Sequence, residues 1–142
     1  MTHVDEKLLR RAIELAAEAR AGGNPPFGSL LAGPDGAVLA EERNTSLTDR
    51  DITAHPELKL ARWAARELDP DTAARTTMYT SCQPCEMCTG AIARSGLGRV
   101  VYALSAEQLA GLKPPGSAFV APQPEGPALY AEARVPVEGY YT

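Results

Sequence analysis

The three cysteines of the sequence, Cys82, Cys85 and Cys88, lie within seven residues of one another. An odd, clustered set of cysteines in a chain without a secretory pattern indicates metal binding or catalysis before disulfides. Cys85 and Cys88 have Cys-x-x-Cys spacing at the start of a predicted helix, where both sulfurs can reach one Zn²⁺. His55 is the candidate third ligand, because the other histidine, His3, falls in a chain end that we expect to be solvated.

Three protein ligands predict a catalytic zinc site, because structural zinc sites have four. The fourth position would hold water, and zinc lowers the pKa of that water toward about 7. Glu57 follows His55 by two residues. Its carboxyl group is predicted to take and return protons without binding the metal, so Glu57 is the candidate catalytic residue.

Other interpretations of these residues have less support. The three cysteines also form half of an iron–sulfur pattern, but a fourth cysteine downstream is missing. Cys82 as a fourth zinc ligand would make the site structural, yet it ends a predicted strand, where a small buried thiol is commoner. Glu57 alone would be an ordinary first-turn residue favoured by the helix dipole. Beside three zinc ligands, the catalytic role is favoured.

The composition predicts one globular domain over residues 1–142. Apolar residues make up 44% of the chain and charged residues 23%, close to the globular average. The 14 Lys and Arg residues against 18 Asp and Glu give a net charge of −4, which argues against non-specific nucleic-acid binding. No apolar run reaches membrane-spanning length and no signal peptide is evident, so we predict a cytoplasmic protein without membrane association.

Helical and strand periodicities alternate along the chain. Apolar residues on one face predict three helices, over residues 5–21, 54–68 and 85–95. Short apolar runs bounded by turn residues predict four strands, over residues 27–32, 37–43, 76–81 and 99–104. Pro56 is tolerated only in the first turn of a helix, and therefore places the start of the second helix close to His55.

This alternation is typical of an α/β fold, and we predict a three-layer α/β/α domain around a mixed sheet of about five strands. Five prolines interrupt residues 113–127. Residues 113–142 are therefore predicted to form a proline-rich C-terminal lid or wrap rather than a second domain. Within this segment, residues 128–137 are assigned a short helix and an edge strand.

The combined pattern resembles the zinc-dependent cytidine deaminase superfamily, whose signature is His-x-Glu followed by Pro-Cys-x-x-Cys. Here the signature consists of His55-Pro56-Glu57 and Pro84-Cys85-Glu86-Met87-Cys88, with 27 residues between Glu57 and Cys85. The resemblance covers residues 5–105 and extends to Pro26-Phe27-Gly28, Asn44 and Thr89-Gly90-Ala91-Ile92. Within the superfamily the chain looks most like the guanine deaminase and tRNA-adenosine deaminase branch.

The resemblance implies hydrolytic deamination of an amino-heterocycle with release of ammonia. It implies Zn²⁺ as the cofactor, Glu57 as the proton carrier, and three metal ligands: His55, Cys85 and Cys88. It also implies four substrate-binding residues: Asn44, Phe27, Pro56 and Pro84. An asparagine side chain can offer both a donor and an acceptor to the edge of a ring.

Two residues depart from the superfamily pattern. The residue between His and Glu is usually Ala, whose backbone N–H contacts a substrate carbonyl, but Pro56 has no N–H. Gln83 replaces the Glu that usually precedes Pro-Cys, which removes a charge near the metal. The substrate is therefore open. A guanine-like base or nucleoside is expected first, and cytosine, cytidine or an s-triazine are alternatives.

Two other functions fit the same motif less well. Editing of a tRNA wobble adenosine is disfavoured, because residues 103–142 carry two basic and four acidic side chains where an RNA clamp needs positive charge. A catalytically silent zinc-binding module is disfavoured, because Glu57 is retained. We therefore predict a small-molecule substrate. The resemblance further implies a homodimer with C-terminal segments near a neighbouring site.

Overall fold

The computed structural model describes residues 1–142. It contains six helices: α1 (His3–Ala21), α2 (Pro56–Glu67), α3 (Pro70–Ala74), α4 (Glu86–Ser95), α5 (Ala106–Leu112) and α6 (Tyr130–Ala133). It contains four strands: β1 (Gly28–Ala32), β2 (Val38–Arg43), β3 (Thr77–Cys82) and β4 (Arg99–Leu104). No helix is both long enough and apolar enough to cross a membrane.

The strands form one mixed sheet in the order β2-β1-β3-β4. β1 runs antiparallel to both β2 and β3, and β3 runs parallel to β4. The three-layer α/β prediction is confirmed, with four strands instead of about five. The predicted edge strand within residues 128–137 is wrong: this segment contains α6 and turns, and its backbone pairs with no strand of the sheet.

Alternation along β1 separates two apolar cores. Leu30 packs with Leu8 and Leu9 of α1 on one face of the sheet. Leu31 packs with Leu60 of α2 on the other face, and side chains of α4 complete that core. Because successive strand residues point to opposite faces, two adjacent leucines stabilise two different layers. The sheet is thereby held between α1 and the α2–α4 pair.

α1 and β1 approach so closely that only glycine fits at their contact. A Cβ atom added to Gly28 would lie 2.5 Å from the backbone nitrogen of Ala16 and 2.6 Å from the carbonyl oxygen of Ala12. This close approach fixes the height of β1 against the helix. It also explains why the Pro26-Phe27-Gly28 motif ends in glycine.

A buried carboxylate ties α1 to the sheet on the same side. Asp5 accepts a hydrogen bond of 2.6 Å from the hydroxyl of Tyr79 on β3 and bonds of 2.9 and 3.0 Å from the guanidinium of Arg99 on β4. The Arg99 bond, aided by that of Tyr79, holds the pKa of Asp5 well below its usual range. Asp5 also bonds the backbone N–H of Thr2, which forms a capping box at the start of α1.

The chain beyond β4 lies outside both cores. Ser105 caps α5 through a capping box with Gln108, a signal that the sequence prediction missed. From Ala118 onward every residue is exposed, including Phe119 at 99% and Tyr141 at 85%. The predicted role of residues 113–142 as a lid or wrap stays a prediction.

Candidate active site

The candidate metal ligands are brought together by two helix N-termini. His55 is the residue immediately before α2, and Cys85 is the residue immediately before α4. Pro56 is the first residue of α2, as predicted from the lack of an N–H on proline. Cys88 is the third residue of α4, within its first turn, and is buried. α2 and α4 lie side by side on one face of the sheet, so their first turns carry the three side chains to one place.

The ligand atoms are close enough to share one ion. The Nδ1 atom of His55 lies 3.7 Å from the Sγ atom of Cys85 and 3.4 Å from the Sγ atom of Cys88. The donor atoms of the three residues all lie within 4.8 Å of one another. One imidazole and two thiolates are a donor set that suits Zn²⁺, and three ligands leave a coordination position open. The residues present therefore fit a zinc ion.

The surroundings of these side chains affect their protonation. Burial lowers the pKa of His55, which favours the neutral imidazole that binds metals. Burial, followed by the negative charge of Glu57, raises the pKa of the Cys88 thiol. A bound divalent cation would lower the pKa of the Cys88 thiol again, because thiol ligands deprotonate when they bind a metal.

Glu57 lies in the first turn of α2 and is 6% exposed. Burial raises the pKa of its carboxyl group, and a bond from Ser29 partly opposes that shift. The hydroxyl of Ser29 on β1 lies 3.4 Å from the Oε1 atom of Glu57 and 2.7 Å from the hydroxyl of Thr80 on β3. A buried carboxyl group with a raised pKa that is held by a serine hydroxyl is suited to accept and release protons.

The predicted substrate residues occupy different positions around this cluster. Asn44 is 2% exposed, and its backbone N–H donates to the carbonyl of Phe27 over 3.0 Å, so these two residues are adjacent. Phe27 is half-buried. Pro56 is fully buried, whereas Pro84 is half-buried beside Cys85. The structure therefore brings Asn44 and Phe27 together, and leaves the ring of Pro56 covered by the chain itself.

Three other residues that the sequence analysis discussed lie outside the candidate metal group. Cys82 is buried at the end of β3 and is not part of the three-residue metal group. His3 is exposed at the start of α1. The side chain of Gln83 points to α5, where its Oε1 atom accepts a 2.9 Å bond from the backbone N–H of Ala106. Gln83 therefore caps a helix in this chain.

Sequence reasoning missed the polar residues that support the site. Ser29 and Thr80 were placed within apolar strands, and a serine among the apolar residues of β1 was a usable signal. Lys59 of α2 bonds the chain on both sides of Asn44. No sequence pattern indicated that contact, because its partners lie 14 and 16 residues away.

Comparison with solved structures supports the fold. A crystal structure of guanine deaminase from Bacillus subtilis superimposes with a TM-score of 0.77 and 31% sequence identity, covering 99% of this chain and 94% of that one.

Sequence comparison also finds deaminases among the relatives of this chain. Guanine deaminase of Bacillus subtilis is 41% identical over 99 residues, 69% of this chain and 63% of its own length. The tRNA-specific adenosine deaminase of Haemophilus influenzae is 37% identical over 101 residues, 71% of this chain and 58% of its own length. The matched region thus spans less than two thirds of either relative. Residues 2–104 match the family model described as the cytidine and deoxycytidylate deaminase zinc-binding region, and the chain belongs to this family.

Proposed function

We propose that this protein catalyses the hydrolytic deamination of an amino-bearing heterocyclic base or nucleoside. The observation that carries the proposal is a buried carboxyl group, Glu57, two residues from one member of a three-residue zinc-binding group with an open coordination position. A structural zinc site needs no proton carrier at this place. A hydrolytic site does, because deamination requires protons to be moved to the ring and to the leaving amine.

Each residue has a defined part in the reaction. His55, Cys85 and Cys88 would hold zinc, which when bound makes a nucleophile available at neutral pH by acidifying water. Glu57 accepts one proton from the attacking water and delivers it to the ring nitrogen beside the reacting carbon. It then takes the second proton, from the hydroxyl group added to that carbon, and delivers it to the amine, which leaves as ammonia while the carbonyl forms. Ser29 orients the Glu57 carboxyl group, since its hydroxyl bonds both that group and the hydroxyl of Thr80.

A guanine-like base or nucleoside is the proposed substrate. The Bacillus subtilis relatives named guanine deaminase support this choice. The acidic residues beyond β4 oppose a phosphate-rich ligand, since residues 103–142 carry four glutamates and two basic side chains. Pro56 supplies no backbone N–H to a ring carbonyl, so the remaining contacts to the ring fall to Asn44 and Phe27.

The first prediction concerns the metal. The purified protein should contain about one zinc per chain, because its ligand set suits Zn²⁺. Cys85→Ser should lose the metal, since a serine hydroxyl is a poor zinc ligand, whereas Cys82→Ser should keep it. Elemental analysis of the wild-type protein and the two variants measures the zinc content per chain. Iron with visible sulfur-to-iron absorption, or zinc lost equally from both variants, would contradict the assignment.

The second prediction concerns Glu57. Glu57→Gln should retain zinc and the fold but lower ammonia release by about 10²–10⁴-fold or more, because a single group serves several proton transfers. Ammonia release, zinc content and the melting temperature are measured on the same preparation. Glu67→Gln, at the exposed end of the same helix, is the matched control. Activity of Glu57→Gln within a few-fold of wild type would assign the proton transfer to another group.

The third prediction concerns the substrate. Neutral bases or nucleosides should be deaminated, and nucleotides and tRNA should not. The values of kcat/KM are compared for guanine, guanosine, cytosine, cytidine, ammeline and a tRNA anticodon stem. A tRNA that outperforms every small molecule would establish the wobble-adenosine alternative. A nucleoside monophosphate that outperforms its nucleoside would contradict the argument from charge. Zinc binding without turnover of any of them would favour a silent module.

The fourth prediction concerns assembly. We propose that the chain is a homodimer whose residues 113–142 pack on a second copy. The support is the exposure of large apolar side chains in this segment, such as Phe119 at 99% and Val120 at 91%, since exposed apolar clusters mark interaction surfaces. Light scattering should give about twice the 15.1 kDa chain mass. A monomer at micromolar concentration would contradict the proposal.

A cytoplasmic location stays a prediction from the sequence.

A further inference from the structure

Lys59 places a nearly buried ammonium group behind the loop that carries Asn44. The side chain is 17% exposed and lies on α2, two residues after Glu57. Its Nζ atom donates to the hydroxyl of Thr45 over 2.7 Å and to the carbonyl of Arg43 over 3.0 Å. A third contact, of 3.3 Å, joins it to Glu42. All three ammonium donors are therefore used, and two of them hold the residues on either side of Asn44.

Other bonds fix this loop against the candidate active site. The backbone N–H of Asn44 donates to Phe27 over 3.0 Å, and that of Thr45 donates to Ala54 over 3.1 Å. Ala54 immediately precedes His55. The loop is thus bonded at Asn44 to the residue before β1, and at Thr45 to the segment before α2. Lys59 bonds the backbone before Asn44 and the side chain after it.

The amide of Asn44 has a single allowed orientation. Its Oδ1 atom accepts bonds of 2.8 Å from both the backbone N–H and the hydroxyl of Ser46. A backbone N–H can only donate, so the oxygen must face Ser46 and the NH₂ group must face away. Both lone pairs of the oxygen are taken. Asn44 therefore has no acceptor left for a ligand, although the sequence allowed it to offer both a donor and an acceptor.

The NH₂ group of Asn44 is available instead. It bonds no atom of the chain, and the structure contains no fully buried polar side-chain atom without a partner. The nitrogen therefore reaches solvent, although the residue as a whole is only 2% exposed. A donor that is held rigidly in a nearly closed position is best satisfied by an acceptor on a bound molecule.

We propose that Lys59 is a positioning residue that fixes Asn44 as a pure hydrogen-bond donor to the substrate ring. This inference rests on the proposed function. The acceptor is a ring nitrogen lone pair or a carbonyl oxygen. A ring that presents only N–H groups at this edge is rejected, since two donors would then face each other. Lys59 itself does not touch the substrate.

Lys59→Met tests the proposal, because it removes the ammonium group and keeps an unbranched side chain. With guanine as the substrate, KM should rise about tenfold while kcat changes little, as expected for lost binding shared by ground and transition states. Arg66→Met is the matched control: Arg66 lies on the same helix, is exposed and makes no hydrogen bond or ion pair. It should leave both constants unchanged.

A double-mutant cycle with Asn44→Ala separates positioning from a general structural effect. If Lys59 acts through Asn44, adding Lys59→Met to Asn44→Ala should change kcat/KM by less than about twofold, because the effects of residues that act through one hydrogen-bond network are not additive. If the two losses multiply, Lys59 acts elsewhere and the proposal is wrong. Thr45→Val removes the 2.7 Å partner of Lys59 together with the 2.6 Å bond that the same hydroxyl donates to Asp49, and serves if Lys59→Met does not fold. It should raise KM in the same direction by a smaller factor. Asp49→Ala, which removes only the second bond, is the control for Thr45→Val.

Hydrogen exchange tests the same contact without any substrate. Amide exchange over residues 43–48 should accelerate in Lys59→Met and not in Arg66→Met, with zinc content unchanged in both. Unchanged exchange in Lys59→Met would overturn the positioning role. Should wild-type protein with bound zinc release no ammonia from guanine or any other compound, the proposed function fails, whereas the exchange experiment still judges the contact between Lys59 and the loop.

Discussion

The N-terminal ends of α2 and α4 approach each other on one face of the sheet, and the chemistry of the site depends on this approach. It brings one imidazole and two sulfurs within 4.8 Å of one another, although the histidine lies 30 and 33 residues from the two cysteines in the chain. Leu31, Leu60 and Met78 stabilise the arrangement, since their packing sets the height of α2 above the sheet. Burial of these apolar side chains is the main favourable term. The site is therefore positioned by a core that contains none of its residues.

The helices that carry the site were predictable because local rules set their ends. Pro56 can occupy only a first turn, which placed the start of α2 correctly, and Cys85 precedes α4 as its spacing from Cys88 suggested. α3 was missed for a related reason. Asp69-Pro70 directly follows the helix predicted over residues 54–68 and stops it, but Asp69 also caps the next helix by accepting from the N–H of Thr72. The same two residues end one helix and begin another.

The contacts that were not predictable join segments far apart in sequence. Ser29 contacts Glu57 across 28 residues and Thr80 across 51. Lys59 reaches the loop around Asn44 only after β2 and α2 have packed together. The prediction of an edge strand beyond residue 128 was wrong for the same reason. A strand is stable only beside a partner strand, and the sequence of one segment does not show whether a partner is present. Sequence spacing indicated the candidate metal ligands, which the structure brings together, and tertiary packing decided which polar groups surround them.

The bond between Gln83 and α5 has a mechanical consequence. The backbone N–H of Gln83 donates to Leu104 over 2.7 Å, and its side chain accepts from Ala106 over 2.9 Å. The direction in which the chain leaves the sheet is thus set two residues before Cys85. A displacement of α5 relative to the sheet would therefore strain the bond to Gln83, which lies in the same loop as the candidate zinc ligand Cys85. Gln83 thereby couples the start of α5 to the loop before Cys85 through its side chain, and the end of β4 to the same loop through its backbone.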